Sequence, residues 1–283
     1  MDWLDRMNSA MAYIEANLAD EISYDKAAQT ACCSTYHFQR MFSFITGVPL
    51  SEYIWRRRLT LAAFELQADT KVIDVALKYG YESPEAFSRA FKNLHGVMPI
   101  SARDKGTPLK AYPKMTFSIV IKGDTEMEYC IQEQGAFQVF GVYASIDEDL
   151  EKAFVEVPRF VEKYVEDGFF DNMNKLLGRP RGTCMHAAQY DRSGTTFKYM
   201  MCYYVPPGME IPEPYTKLAV PALTWAVFTV PEGEVQTMWR RVYGEWFPTS
   251  EYEQVEGPTF EMYYGMGGHS HYCCELWFPV KKR

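Results

Sequence analysis

The feature that most constrains the fold is an internal sequence repeat, whose two copies are offset by 49 positions. "CSTYHFQRMFSFITGVP" occupies residues 33–49, and "ESPEAFSRAFKNLHGVMP" occupies residues 82–99. The offset aligns Ser34 with Ser83, Phe38 with Phe87, Arg40 with Arg89, Phe42 with Phe91, Gly47 with Gly96 and Val48 with Val97. One structural unit is therefore used twice in the first third of the chain.

Each copy predicts an amphipathic helix that begins at a serine cap. Ser34 precedes apolar residues at helical spacing, and Ser83 caps a second helix whose first turn holds Pro84. The apolar faces consist of Phe38, Met41, Phe42 and Ile45 in the first copy, and of Phe87, Ala90, Phe91 and Leu94 in the second. We expect these faces to be buried.

The opposite helix faces carry hydrogen-bonding side chains that we expect to turn toward solvent or a partner. They are Tyr36, Gln39, Arg40 and Ser43 in the first copy, and Glu85, Ser88, Arg89 and Lys92 in the second. A short helical segment precedes each copy, "SYDKAAQTA" and "VIDVALKYG". A short helix, a tight turn and a second helix form the helix-turn-helix plan, so the chain is predicted to contain two such units.

The segment between the copies predicts one stiff connecting helix. "SEYIWRRRLTLAAFELQ", residues 51–67, has apolar residues at helical intervals and contains neither Gly nor Pro. Two recognition helices held about 34 Å apart would enter successive major grooves on one face of B-DNA. The alternative is an all-helical scaffold in which Arg40 and Arg89 are ordinary surface charges.

The net charge of −8 does not exclude a DNA-binding face. Residues 1–105 contain 12 Lys and Arg against 13 Asp and Glu, so most of the excess acid lies in the remainder of the chain. Bases gather at Arg56–Arg58, Arg40, Arg89 and Lys92. Such local clustering matters more to a phosphate backbone than the total charge of the domain does.

Residues 4–103 resemble the AraC-type transcription regulators. "YIWRRRLTLAA" is similar to the family pattern YIxxxRLxxA, "YGYESPEAFSRAFKNLHGVMP" to GFxDxxYFxRxFKxxxGxxP, and "PISAR" to the closing PxxxR. The resemblance implies promoter DNA as the partner and base contacts from Tyr36, Gln39 and Arg40 and from Glu85, Ser88 and Arg89. Pro84 and Glu85 replace donor side chains common in relatives, which predicts that the second helix mainly anchors phosphates.

The segment "RDKGTPLKAYPK", residues 103–114, combines charged residues with Gly and Pro and is interpreted as a boundary between two domains. The residue pattern changes after it. Strand-like runs follow in "MTFSIVIKG", "AFQVFGVYA", "TFKYMMCYYV" and "ALTWAVFTV", and amphipathic helical runs in "LEKAFVEVPRFVEKYV" and "GEVQTMWRRVYGEWF". A strand-helix-strand-strand pattern occurs twice. The sequence thus predicts an all-α tandem helix-turn-helix domain over residues 1–107 and an α+β domain with an antiparallel sheet and covering helices over residues 108–283.

Two carboxylates interrupt apolar strands of the second domain, Glu261 in "TFEMYYGM" and Glu275 in "YCCELWFPV". A buried carboxylate costs several kcal/mol unless it is paired or hydrogen-bonded. Strand alternation places Glu261 on one face with Tyr263 and Gly265. Glu261 is therefore a candidate for a functional rather than a packing role, against the alternative of a carboxylate tied to a tyrosine hydroxyl or a backbone amide for structural reasons.

Residues 126–281 resemble the GyrI-like effector-binding domain, most clearly in "WFPTSEYEQVEGPTFEMYY" and "CELWFPVKK". The resemblance implies two pseudo-symmetric halves around a groove whose carboxylate meets lipophilic cations. It implies ligand-binding roles for Glu261, Glu275 and Tyr263, with Tyr143, Trp225 and Trp246 as wall residues.

The sequence indicates no cofactor and no metal site. Seven cysteines, two pairs of them adjacent, are typical of reduced thiols, and the only close histidines are in "HSH" at residues 269–271. The first residues lack a secretory signal, and no apolar run approaches the roughly 18 to 20 residues that span a bilayer. We expect a cytoplasmic protein without a membrane partner.

These observations predict a sequence-specific transcription regulator, not an enzyme, with double-stranded promoter DNA and a small-molecule effector as partners. RNA polymerase is left open as a further partner, and the oligomeric state is not predicted. One alternative is a GyrI-like hydrolase fused to a DNA-binding domain, in which Glu261 and a tyrosine activate water. Another is an architectural DNA-binding protein whose second domain only mediates oligomerisation.

Overall fold

The chain divides into two compact units. The computed structural model describes residues 3–104, 106–118, 126–178, 185–193, 195–264 and 273–283. The first unit comprises Met1–Phe38 and Pro49–Ile121, and the second comprises Gln39–Val48 and Lys122–Arg283. The division falls later than the boundary predicted between residues 107 and 108.

The first unit is helical, as predicted. Its elements are α1 (Trp3–Ala16), α2 (Tyr24–Thr30), the start of α3 (Thr35–Thr46), α4 (Leu50–Gln67), α5 (Val72–Lys78), α6 (Pro84–His95) and a 3₁₀ turn at Ser101–Arg103. The Ser23 side chain caps α2 by accepting from the Lys26 amide, and Ser83 caps α6 by accepting from the Ala86 amide. The single long helix α4 confirms the predicted connection between the two repeats.

The repeated apolar faces are buried except at Ile45 and Ala90, which are half-buried. Phe38, Phe42, Phe87 and Phe91 are each 0% exposed. Phe87 and Phe91 pack with residues of α4 and α5 into one core. The periodicity therefore identified the helices and the aromatic residues that hold the helical unit together.

The arginine run in α4 serves the fold rather than an open basic surface. Arg57 is 8% exposed and pairs with Glu15 of α1 at 2.8 Å. The Arg58 side chain donates to the backbone carbonyls of Leu18 and Asp20. The prediction that this run adds to a phosphate-binding cluster is wrong for Arg57, because its guanidinium is buried and paired with Glu15. For the half-buried Arg58, which joins α4 to the segment after α1, it stays a prediction.

The predicted linker is packed along the first unit. The strap, defined as residues 106–118, is tied at intervals by long-range hydrogen bonds from its backbone to side chains of α1, α4 and α6. The Lys110 amide donates to His95 Nδ1 at 3.2 Å, Tyr112 to Thr60 Oγ1 at 3.0 Å, Met115 to the Tyr53 hydroxyl at 3.2 Å, and Phe117 to Asn8 Oδ1 at 2.9 Å. Asn8 Nδ2 donates back to the Phe117 carbonyl at 3.0 Å, as a neighbouring strand would.

The second unit combines an antiparallel sheet with helices. Its strands are β1 (Tyr129–Gln134), β2 (Phe137–Asp147), β3 (His186–Ser193), β4 (Thr196–Tyr204), β5 (Thr216–Val220), β6 (Leu223–Val230), β7 (Tyr252–Gln254), β8 (Thr259–Tyr264) and β9 (Cys273–Lys282). Its helices are α7 (Leu150–Glu166), α8 (Phe169–Leu176), α9 (Val235–Arg241), a π turn (Val242–Trp246) and α10 (Phe247–Thr249). The described part of "MTFSIVIKG" forms no strand.

The sheet confirms the predicted two-fold repetition. In the described chain the strand order is β1-β6-β9-β8-β3-β4-β2-β5, with β7 added on β9. Outward from the central pair, β9, β6 and β1 on the β8 side correspond to β4, β2 and β5 on the β3 side. Across this pair Glu261 lies opposite Ala187, and on its other side it lies opposite Leu276 of β9.

No helix in the described part of the chain is long and apolar enough to cross a membrane.

Candidate functional site

A cavity of about 680 Å³ lies in the second unit. Ligand pockets commonly span roughly 300 to 1,000 Å³. Apolar side chains form most of its wall, with α7, α9 and the sheet as main contributors. These include Phe154, Val157, Pro158, Val161, Phe197 and Trp239. The wall therefore offers burial to an apolar molecule.

The carboxylate of Glu261 is the polar centre of this cavity. Glu261 is 7% exposed. Its Oε2 accepts from the Tyr263 hydroxyl at 2.7 Å and from the Tyr199 hydroxyl at 3.3 Å, and its Oε1 accepts from Trp239 Nε1 at 3.1 Å. All three donors are neutral groups, so the carboxylate is oriented by them without being neutralised by them.

Burial and hydrogen bonding act on Glu261 in opposite directions. Burial raises the pKa of Glu261 above its ordinary value, while the hydrogen bonds from Tyr263, Trp239 and Tyr199 lower it, and the net direction is upward. The Tyr263 hydroxyl has its pKa raised by burial and by the adjacent carboxylate. The tyrosine thus stays protonated and continues to donate.

A second polar group in the wall is internally neutralised. Arg192 Nη1 donates to Glu148 Oε1 at 2.7 Å, and Nη2 donates to Gln189 Oε1 at 2.9 Å. The guanidinium also lies over the Phe197 ring, with Cζ 4.6 Å from its centroid. Since Glu148 compensates Arg192, this pair does not offset the charge of Glu261.

The structure buries part of the predicted DNA-facing stripe of α3. Residues Gln39–Val48 belong to the second unit, where Arg40 is 5% exposed and Ser43 is 9% exposed. Arg40 donates to the Tyr243 hydroxyl at 3.1 Å and lies over the Phe44 ring. The prediction of an outward stripe is wrong for Arg40 and Ser43, because both line the cavity wall. Tyr36 and Gln39 are half-buried.

The stripe of α6 is exposed as predicted. Glu85, Arg89 and Lys92 are exposed and Ser88 is half-buried. On the apolar side of the same helix Phe87, Phe91 and Leu94 are buried, so its polar side is the one left for a partner. That these four residues contact DNA stays a prediction.

Four predicted ligand residues lie away from the cavity. Glu275 and Trp225 point to the opposite face of the sheet from Glu261, as Tyr143 does, because their register partners alternate with those of Glu261. Glu275 accepts from Trp277 Nε1 at 2.9 Å, and Trp225 is 0% exposed in the core on that face. Trp246 packs on Phe228 instead. Glu261 and Tyr263 are the two predicted ligand residues that line the cavity.

Sequence reasoning missed Tyr199, Trp239 and Asn174, which also line the cavity. Tyr199 and Trp239 lay within a strand and a helix that were predicted, but nothing indicated which face would meet Glu261. Asn174 lies in α8, which was not predicted. Its signal was a polar residue four positions after Phe170, on the apolar side of a short helix.

The loose metal pattern His269–His271 and the predicted face partner Gly265 lie outside the described residues. Among the residues that the structure describes, no group of three or more His, Cys, Asp or Glu side chains could hold a metal ion.

Comparison with known proteins also finds two parts in the chain, although Gln39–Val48 falls within the N-terminal match rather than with the second unit. Residues 130–280 match the Cass2 family of integron-associated effector binding proteins, and residues 27–105 match the helix-turn-helix domain family HTH_18. The HTH-type transcriptional activator AarP of Providencia stuartii is 43% identical over 94 residues, which are 33% of this chain and 70% of that protein.

Two solved structures resemble the second unit in fold. SAV2435 bound to tetraphenylphosphonium is 18% identical with a TM-score of 0.45, over 55% of this chain and 94% of that chain. An integron cassette protein from the mobile metagenome of Vibrio cholerae is 15% identical with a TM-score of 0.40, over 54% of this chain and 95% of that chain.

Fold, cavity and matches together define a DNA-binding transcription regulator that carries a ligand-binding C-terminal domain. The chain belongs to the Cass2 family of integron-associated effector binding proteins, joined here to an AraC-type helix-turn-helix domain.

Proposed function

We propose that the effector is a lipophilic cation that binds in the cavity with its positive charge toward Glu261. The observation that carries this proposal is the buried carboxylate with three neutral hydrogen-bond donors in an apolar wall. A carboxylate fixed in this way selects the sign of the ligand, while the wall supplies the hydrophobic contribution.

Aromatic side chains around the carboxylate add to the preference for a cation. Tyr199, Tyr263, Trp239 and Phe197 all line the cavity. A cation over an aromatic face gains about 0.5 to 2 kcal/mol, more when it is desolvated. An anion of equal shape would meet both the ring faces and the Glu261 charge unfavourably where these lie, although Arg40 places a positive charge elsewhere in the same wall.

The same geometry favours binding over catalysis. The donors from Tyr263, Trp239 and Tyr199 already occupy three of the roughly four lone-pair sites on the two carboxylate oxygens, which leaves little capacity to accept a proton from a water molecule. We therefore propose a sensor without enzymatic turnover. The exposed residues of α6 are proposed to contact promoter DNA, mainly at phosphates, and RNA polymerase is left open as a further partner.

The sign of the ligand charge can be tested with two probes of nearly the same shape, tetraphenylphosphonium and tetraphenylborate. We expect the full chain to bind the phosphonium and to bind the borate at least tenfold more weakly. Glu261→Gln should weaken the phosphonium about tenfold, which corresponds to about 1.4 kcal/mol. Glu275→Gln is the matched control, because it removes the carboxylate on the opposite face of the sheet. Equal binding of both probes would overturn the proposal.

A further inference from the structure

A buried amide in the cavity wall is the feature that the proposed function leaves unexplained. Asn174 lies in the last turn of α8 and is 5% exposed. It lines the same cavity as Glu261. Its Oδ1 atom is buried and accepts no hydrogen bond from any residue that the structure describes.

The position of Asn174 in its helix makes this amide unusual. The preceding turn contributes Phe170 to the cavity wall, and the neighbouring Met173 is 0% exposed in the core. An apolar side chain at residue 174 would continue that face. Instead the helix carries an acceptor whose burial without a partner costs free energy. A ligand group that donates to Oδ1 would offset that cost.

We propose that Asn174 is a second anchor of the effector site and that it accepts a hydrogen bond from an N–H or O–H group of the ligand. This inference rests on the proposed function and makes it more specific. The effector class is then an aromatic cation that also bears an amino or hydroxyl donor, rather than a cation with only apolar substituents. Glu261 selects the charge and Asn174 selects the donor.

Two dyes with the same triarylmethane cation separate these roles. Pararosaniline carries three primary amino groups, and crystal violet carries dimethylamino groups that have no N–H. We expect Asn174→Leu in the full chain to weaken pararosaniline about tenfold and to change crystal violet by less than twofold. Glu261→Gln should weaken both dyes, since both are cations.

The outcomes distinguish the two proposals. If Asn174→Leu leaves the ratio of the two dye affinities as in the wild type, the Asn174 anchor is wrong even when Glu261→Gln weakens both dyes. If Asn174→Leu changes the ratio but Glu261→Gln weakens neither dye, the cation site is wrong and the donor site stands. Should the leucine variant melt early, Asn174→Ala, which adds no bulk, gives the same ratio measurement. Failure of both dyes to bind the wild type would overturn both proposals.

Discussion

The indole Nε1 of Trp239 donates to Glu261 Oε1 at 3.1 Å, so one helix of the second unit directly stabilises the charge on its central strand. The other carboxylate oxygen accepts from two tyrosines. Because α9 supplies one donor and the sheet supplies two, the protonation state of Glu261 depends on how the helix and the sheet pack together.

Cation affinity should fall as the pH is lowered. Burial raises the pKa of Glu261 above its ordinary value of about 4.5, against the effect of its hydrogen bonds. The cation binds the ionised form, so affinity is full well above the folded-state pKa and is lost as pH falls through it. Tetraphenylphosphonium titrations between about pH 4 and pH 8 measure this dependence.

Trp239→Phe should move that pH profile upward, because it removes the indole donor while keeping an aromatic ring. We expect a few-fold weaker cation binding at neutral pH, in line with about 1 kcal/mol for one hydrogen bond. Trp277→Phe is the matched control, since Trp277 Nε1 donates to Glu275 on the other sheet face. An unshifted profile in a folded Trp239→Phe variant would show that the indole does not stabilise the charge.

The first unit should lose stability as the pH falls below about 6.5. His95 Nε2 lies 3.2 Å from the Leu59 carbonyl and Nδ1 accepts from the Lys110 amide, which requires a neutral ring. Burial, with the nearby Lys110 charge, lowers the pKa of His95 despite the Leu59 hydrogen bond. The unfolded chain therefore binds the proton first, and stability present above the unfolded pKa is lost below it.

Melting curves of wild type and His95→Gln at about pH 7.5 and pH 5.5 check this expectation. Glutamine can donate to Leu59 and accept from Lys110 without titrating. The wild type should lose more melting temperature than the variant does over this interval. Equal losses would assign the acid sensitivity to other groups.

Thr60→Val should loosen the strap. The Thr60 hydroxyl accepts from the Tyr112 amide, and its loss leaves that amide without this partner. We expect a loss of about 1 kcal/mol and faster tryptic cleavage at Lys110 and Lys114. Thr30→Val is the matched control, since Thr30, like Thr60, donates to the carbonyl four residues earlier but does not contact the strap. Rapid cleavage at Lys110 in the wild type would contradict the strap as described.

Arg89→Ala and Lys92→Ala should weaken operator and random DNA alike. Both side chains are exposed on α6, and we expect each loss to reduce the slope of log affinity against log salt by about 1. Arg159→Ala removes an exposed arginine of α7 and serves as the charge-matched control. If only the operator complex weakens, these residues read bases instead of anchoring phosphates.

Sequence periodicity predicted the helices and strands better than it predicted which residues pack around a given side chain. The repeat located α3 and α6 because aromatic residues at helical spacing need a core, and Glu261 stood out because a carboxylate interrupts an apolar strand. Alternation could not tell which sheet face holds the cavity, so Trp225 and Glu275 were assigned to the wrong surface. The burial of Arg40 depends on Tyr243, 203 positions away, which no local pattern reveals.

Because of the strap, the folded helical unit is longer than the segment that matches the helix-turn-helix family. The family match of the helical region ends at residue 105, yet Phe117 is still hydrogen-bonded to Asn8 of the first helix. A fragment cut where recognisable similarity stops would keep every helix but strip partners from His95, Thr60, Tyr53 and Asn8 at once. We therefore expect the helical unit to need residues through Phe117 for its full stability, twelve residues beyond the end of the family match.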